Sequence, residues 1–293
     1  MTLRDVISSN HMPIKIYKPT SSGRRVSSVD AFLDITKFEP QKSLVTILKK
    51  KSGRNNQGVI TVRHQGGGAK QLYRLVDFKQ QKFDITATVE AIEYDPNRGA
   101  RIALVQYANG AKSYVLAPQS VKVGDTIMSS NKAIEAKNGN RMPLEYIPVG
   151  LFIYNVELTP GKGGQLARGA GLSAQLVGVE GDYAQIRLPS GEVRLVLKEC
   201  MATVGVLSNP DRRLVRYGKA GRMRHRGIRP TVKGKNMNPA DHPHGGGEGH
   251  SPIGQKRGPQ TVYGKPARGV RTRKPGKWSE KFIIQSRRAK LAQ

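Results

Sequence analysis

The basic side chains of this chain are unevenly placed, and that placement limits what it can fold into more than any other feature. Residues 209–293 carry 22 lysines and arginines against 4 acidic residues, and residues 1–70 carry 13 against 4, whereas residues 71–208 hold 15 against 13. A nearly neutral middle can collapse around an apolar core. An 85-residue segment at +18 with few large apolar side chains cannot offset its chain entropy and self-repulsion by burial. The ends therefore need counter-charge to become ordered. With a net charge of +29 over 293 residues and a pI near 10.5, the expected partner is a polyanion, and folded RNA offers phosphates at high density along an extended path.

The neutral middle reads as short strands separated by turns. Residues 85–94 (ITATVEAIEY), 100–107 (ARIALVQY) and 111–117 (AKSYVLA), joined by DPNRG and ANG, predict a three-stranded antiparallel meander. With 59–63 before it and 126–128 after it, the count reaches five, the number expected of a small Greek-key barrel such as the oligonucleotide-binding fold. After a Pro/Gly/Asn-rich join at 138–148, residues 151–158, 172–180, 183–188, 193–197 and 202–207 predict a second set of about five strands. The fold class expected is mainly β: two tandem small barrels with long basic extended N- and C-terminal tails. Residues 210–224 (PDRRLVRYGKAGRMR) are the best helix candidate, with Asn209 or Ser208 as cap and Pro210 in the first turn. From Gly227 onward glycine and proline recur too often for regular structure, up to a last segment at 280–290.

The single cysteine, Cys200, excludes an internal disulfide and a thiolate zinc cage, and a buried inert thiol in a reducing compartment is expected. No run of about 18 apolar residues reads as a membrane span. Residues 1–10 (MTLRDVISSN) lack the apolar core of a signal peptide. The segment from Met12 reads like a protein start, so Met12 is expected to be the initiator. The lack of an Arg-rich, acid-poor transit segment favours a bacterial cytoplasm over an organelle.

Three loops carry the chemistry. Residues 63–70 (RHQGGGAK) set Gly66, Gly67 and Gly68 between basic residues, and glycine lets a backbone approach a phosphate and aim its N–H groups at it. A flexible hairpin tip is the bland alternative; the flanking Arg54, Arg63, His64, Lys70 and Arg74 favour RNA contact. Residues 159–171 (TPGKGGQLARGAG) lack the GxxxxGK[ST] of a nucleotide-binding P-loop. A backbone-and-lysine cradle for an RNA phosphate is the better reading, with Lys162 and Arg168 as the charges and Gly163 and Gly164 as the backbone. Residues 238–250 (NPADHPHGGGEGH) hold Asp241, His242, His244, Glu248 and His250, all of them metal-ligand types, and Asp241 beside His242 suggests an oriented general base. Irregular backbone around Pro239, Pro243 and Gly245, Gly246 and Gly247 argues instead for a loop threaded between RNA helices, its neutral imidazoles stacking or hydrogen-bonding. The remaining basic positions, among them Arg222, Arg224, Arg226, Arg229, Lys233, Lys235, Arg271, Arg273, Lys274, Arg287 and Arg288, fall in no periodic stripe and read, with Tyr263 and Trp278, as a tail laid on RNA. A metal-dependent hydrolase using 241–250 and a free-standing RNA chaperone are the rival readings. The charge map opposes the first, and the long tails oppose the second.

The stretches GRNNQGVITVRHQGGGAKQLYRLVDF (53–78), IEYDPNRGARIALV (92–105), GKGGQLARGAG (161–171) and RGIRPTVKGKNMNPADHPHGGGEGHSPIG (226–254) resemble the signatures of the universal large-subunit ribosomal protein two family, bacterial or organellar type. The resemblance runs from about residue 14 to 290. It implies a basic extension (1–52), an oligonucleotide-binding barrel (53–130), an SH3-like barrel (131–208) and a basic tail with one short helix (209–293). It further implies primary binding of large-subunit ribosomal RNA near the peptidyl transferase centre, with support for subunit association, transfer-RNA binding and peptide-bond formation. Partners implied are that RNA, neighbouring ribosomal proteins and small-subunit RNA at the subunit interface, without membrane or self-association. No cofactor is implied beyond magnesium held by the RNA. The histidine debated in that family falls on His242, after Asp241; a structural role is expected for it, because peptide transfer is mainly a positioning problem that RNA can solve. Two departures stand out: His225 replaces an aromatic residue before RGxRP, and residues 1–11 have no counterpart in most members.

Overall fold

A computed structural model describes residues 14–248, 250–256 and 258–287. Met12 and Arg288 lie outside the described residues. The chain divides into two compact units. The first comprises the described residues up to Lys49, then Lys70–Lys219 and the end from Lys281; the second comprises Lys50–Ala69 with Ala220–Glu280.

The first unit contains the strands β1 Ile14–Ile16, β2 Ser28–Asp30, β3 Val45–Ile47, β4 Leu72–Arg74, β5 Ala87–Glu93, β6 Ile102–Tyr107, β7 Lys112–Leu116, β8 Thr126–Ile127, β9 Arg141–Pro143, β10 Phe152–Tyr154, β11 Ala174–Glu180, β12 Tyr183–Arg187, β13 Val193–Leu197, β14 Met201–Val204 and β15 Ile283–Gln285. Two of its sheets curl into small barrels, in the order β7-β6-β5-β8 and β15-β13-β12-β11-β10-β14-β9. Both are antiparallel throughout, and each has a register shift, between Val89 and Ala91 in β5 and between Leu176 and Gly178 in β11. A bulge there bends the strand and raises its twist, which is how a short sheet wraps. Inside the first barrel pack Val89, Ile92, Ala103, Val105, Val115 and Ile127; inside the second, Met142, Leu144, Ile153, Leu176, Ile186 and Val196. Ala100, Leu116, Tyr154 and Leu207 form a further cluster joining them, and Tyr154 is 1% exposed, worth about 2 kcal/mol for a side chain of that kind.

The chain is thus mainly β, with few short helices and an oligonucleotide-binding barrel followed by an SH3-like one. Three expected elements differ. Residues 59–63 form no strand: Thr61 and Val62 both donate to Gly53 O, and the Asn55 side chain accepts from the N–H groups of Gln57 and Val59. This Asx turn outcompetes the β propensity of Val59, Ile60 and Val62, which lie more than half exposed. The first barrel is instead flanked by the β3–β4 ribbon, whose continuation reaches β7 as Asp77 donates to Tyr114 O. The helix expected over 210–224 is broken. Pro210–Leu214 is one 3-10 turn entered through Asn209 at φ +61, and the chain then runs extended beside β2, Ser28 donating to Arg216 O and accepting from Arg216 N–H. Gly218 follows at φ +74, where a side chain would meet Ser27. Finally, residues 283–285 leave the tail to pair with β13, and Phe282 meets Tyr183 at 6.1 Å.

The basic N-terminal extension is anchored by its acids. Arg101 donates from Nε and one terminal nitrogen to the two oxygens of Asp34 and also to Asp30 at 2.8 Å. Burial alone would raise the Asp30 carboxyl. The hydrogen bonds from Arg101 and from Phe32 N–H, with the Arg101 charge and Asn209, outweigh it and hold the group below 3.8.

Candidate nucleic-acid interface

The second unit is built without a core. Among its described residues none is buried: of its large apolar side chains Val59, Ile60, Val62, Ile228, Val232, Tyr263, Val270 and Trp278 are exposed, and Met223, Met237, Ile253 and Val262 are half-buried. Lysines and arginines outnumber acids 18 to 3 over its 81 residues. Order rests on backbone pairing. Gly66 donates to Gly227 O at 2.9 Å, Ala69 to His225 O at 2.9 Å and Arg229 to His64 O at 3.0 Å, so the glycine triplet is clasped to the end of the helix Ala220–His225. Gly68 lies at φ +84, and a Cβ there would fall 2.7 Å from Gly227 N. The triplet therefore serves a close approach of two backbones first. Gly67 faces open space, and among the described residues the Gly67 and Gly68 N–H groups meet no protein acceptor. Lys50, which the sequence did not mark, reaches the carbonyls of Gly67 and Ala69.

Around this clasp Arg54, Arg63, Arg224, Arg226 and Arg229 are exposed, with His64 and Arg222 half-buried. Two neighbours in sequence belong to the first unit: Lys70 is exposed, whereas Arg74 is 7% exposed and donates to Leu72 O within the β3–β4 ribbon.

The loop 159–171, in the first unit, departs from the expected cradle. Its amides are turned inward: Gly161 and Gly163 donate to the Glu157 carboxylate at 3.1 and 3.0 Å, and Gly164 donates to Phe78 O at 3.0 Å. Gly163 and Gly164 are buried, and a side chain at Gly164 would fall on Asn155. What the loop presents outward is its charge. Lys162 and Arg168 are exposed, and the Arg168 guanidinium sits 4.6 Å from the Phe78 ring centroid. Neither Glu157 nor Phe78 was legible as part of this site, since each reads as an ordinary strand or barrel residue.

The 238–250 loop uses its histidines as hydrogen-bond acceptors. His242 Nδ1 accepts from His244 N–H at 3.0 Å and His244 Nε2 from Gln260 N–H at 2.8 Å, with the two rings 4.8 Å apart. These contacts fix each neutral imidazole as the tautomer protonated on the other nitrogen. The Nδ1 that a carboxylate such as Asp241 would have to engage to orient His242 as a base instead accepts from the His244 N–H. Gly234 lies against the His242 ring, where a Cβ would stand 2.6 Å from it, and Gly246 donates to Met237 O. Gly245 and Gly246 are half-buried and Gly247 exposed, and Glu248 accepts from Ser251 Oγ. Among the described residues no group of three or more His, Cys, Asp or Glu is arranged to hold a metal.

The other predicted cations are dispersed along the second unit: Lys233, Arg271 and Lys274 exposed, Lys235 and Arg273 half-buried, with Arg273 donating to Ser279 Oγ and Arg271 4.0 Å from Glu280. Arg287, exposed, follows β15 in the first unit.

A cationic unit without a buried core, in a chain that also folds two small barrels, suits a protein that binds RNA. Residues 41–129 match the family described as Ribosomal Proteins L2, RNA binding N-terminal domain, and residues 137–264 match Ribosomal Proteins L2, C-terminal domain. Together these cover most of the chain, which is therefore a member of the ribosomal protein L2 family, an RNA-binding structural component of the large ribosomal subunit.

Proposed function

We propose that this chain is a primary binder of large-subunit ribosomal RNA, seated near the peptidyl transferase centre and supporting subunit association and transfer-RNA binding. The observation that carries this is the second unit, in which 18 basic residues face 3 acids and no described side chain is buried. Such a unit gains its missing burial and counter-charge together when RNA closes around it. The clasp of Gly66–Gly68 on Gly227, with Arg54, Arg63, Arg224, Arg226 and Arg229 around it, is the main phosphate-binding surface, and Lys162 with Arg168 forms a second RNA-binding surface. The tail cations Lys233, Lys235, Arg271, Arg273, Lys274 and Arg287 lie along RNA grooves.

His242 and His244 act structurally, and the chain is not an enzyme. Their acceptor nitrogens are engaged by backbone N–H groups, which supports a loop that shapes RNA rather than one that moves protons. The chain acts as one copy in each subunit, reaches small-subunit RNA at the interface and works in a bacterial cytoplasm.

The test is sedimentation of the tagged protein from its native cell on sucrose gradients at low and moderate salt. Co-migration with large subunits and whole ribosomes that survives moderate salt is the expected result. Residence in the light soluble fractions would refute stable incorporation.

A further inference from the structure

Two arginines converge on one aromatic ring in the first unit. Arg98 Cζ lies 5.4 Å and Arg168 Cζ 4.6 Å from the Phe78 centroid. Their settings differ. Arg98 is 15% exposed and locked by Asp95, which is fully buried, at 2.5 Å. Arg168 is exposed, and among the described residues none of its five N–H donors meets a protein acceptor. The ring is itself held: Gly164 donates to Phe78 O, Asn155 Nδ2 reaches the same carbonyl, and Phe78 packs against the cluster of Leu116, Tyr154 and Leu207 that joins the barrels. The Lys79 stem lies along Gly163, close enough that a Cβ there would stand 3.0 Å from Lys79 Cγ, which places a further cation beside the exposed Lys162.

A solvated arginine needs no aromatic support, and an arginine serving only as a charge gains little from a fixed ring beside it. The Arg168 guanidinium stands 4.6 Å over a fixed ring with its edge donors uncommitted. That is the geometry on which an unpaired base stacks while neighbouring phosphates find cations. Paired bases bury their faces in the helix and offer only grooves and phosphates.

We propose that Arg168, backed by Phe78, is a stacking site for one unpaired nucleobase of RNA, with Lys79 and Lys162 on the flanking phosphates. This rests on the RNA-binding reading above and adds the form of RNA recognised at this loop: a bulge, loop or strand end rather than a duplex.

The experiment uses the full chain and a short single-stranded oligoribonucleotide bearing one 4-thiouridine, with an otherwise identical strand abasic at that position. Arg168→Lys preserves charge, length and exposure but removes the planar face, so folding is not at issue. Stacking of one base corresponds to about tenfold in affinity. Arg168→Lys should therefore weaken the base-bearing strand about tenfold and leave the abasic strand unchanged, and photocrosslinks of the wild-type chain should map to peptides containing residue 78 or 168. Equal affinity of Arg168→Lys and wild type for the base-bearing strand would overturn the proposal and reduce Arg168 to a phosphate contact, as would crosslinks confined to other peptides. Retained binding of a large-subunit RNA fragment in that outcome would show that only the stacking site has failed; loss of wild-type binding to that fragment would show that the RNA-binding reading has failed with it.

Discussion

Arg141 and Glu157 form an ion pair of 3.0 Å with 0% and 1% of their side chains exposed. The same carboxylate accepts from the N–H groups of Gly161, Gly163 and Met201, and the guanidinium also donates to Asn155 O and Thr203 Oγ1. One buried acid thus ties the loop carrying Lys162 and Arg168 to the wall of the second barrel. A carboxylate with four donors around it offsets its desolvation, but removing it strands both the arginine and the loop amides.

Glu157→Ala should therefore destabilise the full chain by about 3–5 kcal/mol, read as a fall in the urea midpoint, and should expose the 159–171 loop to protease under native conditions. Glu157→Gln keeps an acceptor oxygen and should recover part of the loop protection while leaving the arginine uncompensated. An unchanged urea midpoint for both variants would mean the pair is dispensable.

Gly67→Ala and Gly68→Ala separate two roles inside one triplet. Gly67 faces open space at φ +66, so alanine there costs about 1 kcal/mol of backbone strain. Gly68 adds a clash with Gly227 N and should open the clasp. Filter binding to a large-subunit RNA fragment should find Gly68→Ala at least tenfold weaker and Gly67→Ala within about threefold. Equal effects would return the triplet to a flexible hairpin tip.

The Asp30–Arg101 contact predicts an acid limit for the N-terminal extension. A carboxyl whose folded-state pKa lies below its ordinary 3.8 stabilises the fold fully above that value and loses its contribution as pH falls through the folded pKa. Wild type should exceed Asp30→Asn in thermal stability at pH 5–7, with the gap closing only below pH 3.8. Asp34 keeps Arg101 partly paired in the variant, so the gap should be about 1–3 kcal/mol. A gap that closes near pH 5 would mean another group controls this anchor.

What the sequence discloses follows the range of the interactions. Strands β5–β7 and β11–β13 are legible because neighbours in sequence pair across short Gly, Asn, Asp or Pro turns, and alternation marks their buried faces. Strands β1, β2, β3, β4, β9 and β15 are three residues long and take partners distant in sequence, as Ile283 does with Arg194. Too few residues alternate to show a period. At the interface, residue type was enough to mark the glycine triplet and the histidine loop. Their physical reasons were hidden, since Gly68 needs Gly227 and the His242 ring needs Gly234. Arg74 shows the converse, a basic residue near the triplet in sequence that is buried in the ribbon flanking the first barrel.

Exchange of His242 separates shape from proton transfer. Its Nδ1 accepts from His244 N–H, and its ring fills the space over Gly234. Asparagine carries an acceptor oxygen at comparable reach and does not titrate. If His242 shapes the loop, His242→Asn should preserve subunit joining and peptide transfer in reconstituted ribosomes to within about threefold, whereas His242→Ala, lacking the acceptor, should lower assembly and peptide transfer together. A base would behave otherwise: both variants would lose peptide transfer by the 10²–10⁴-fold typical of general acid–base residues, with assembly intact. Measuring assembly by sedimentation and transfer on the purified subunits decides between them, and a slow but fully assembled His242→Asn particle would overturn the structural role assigned here.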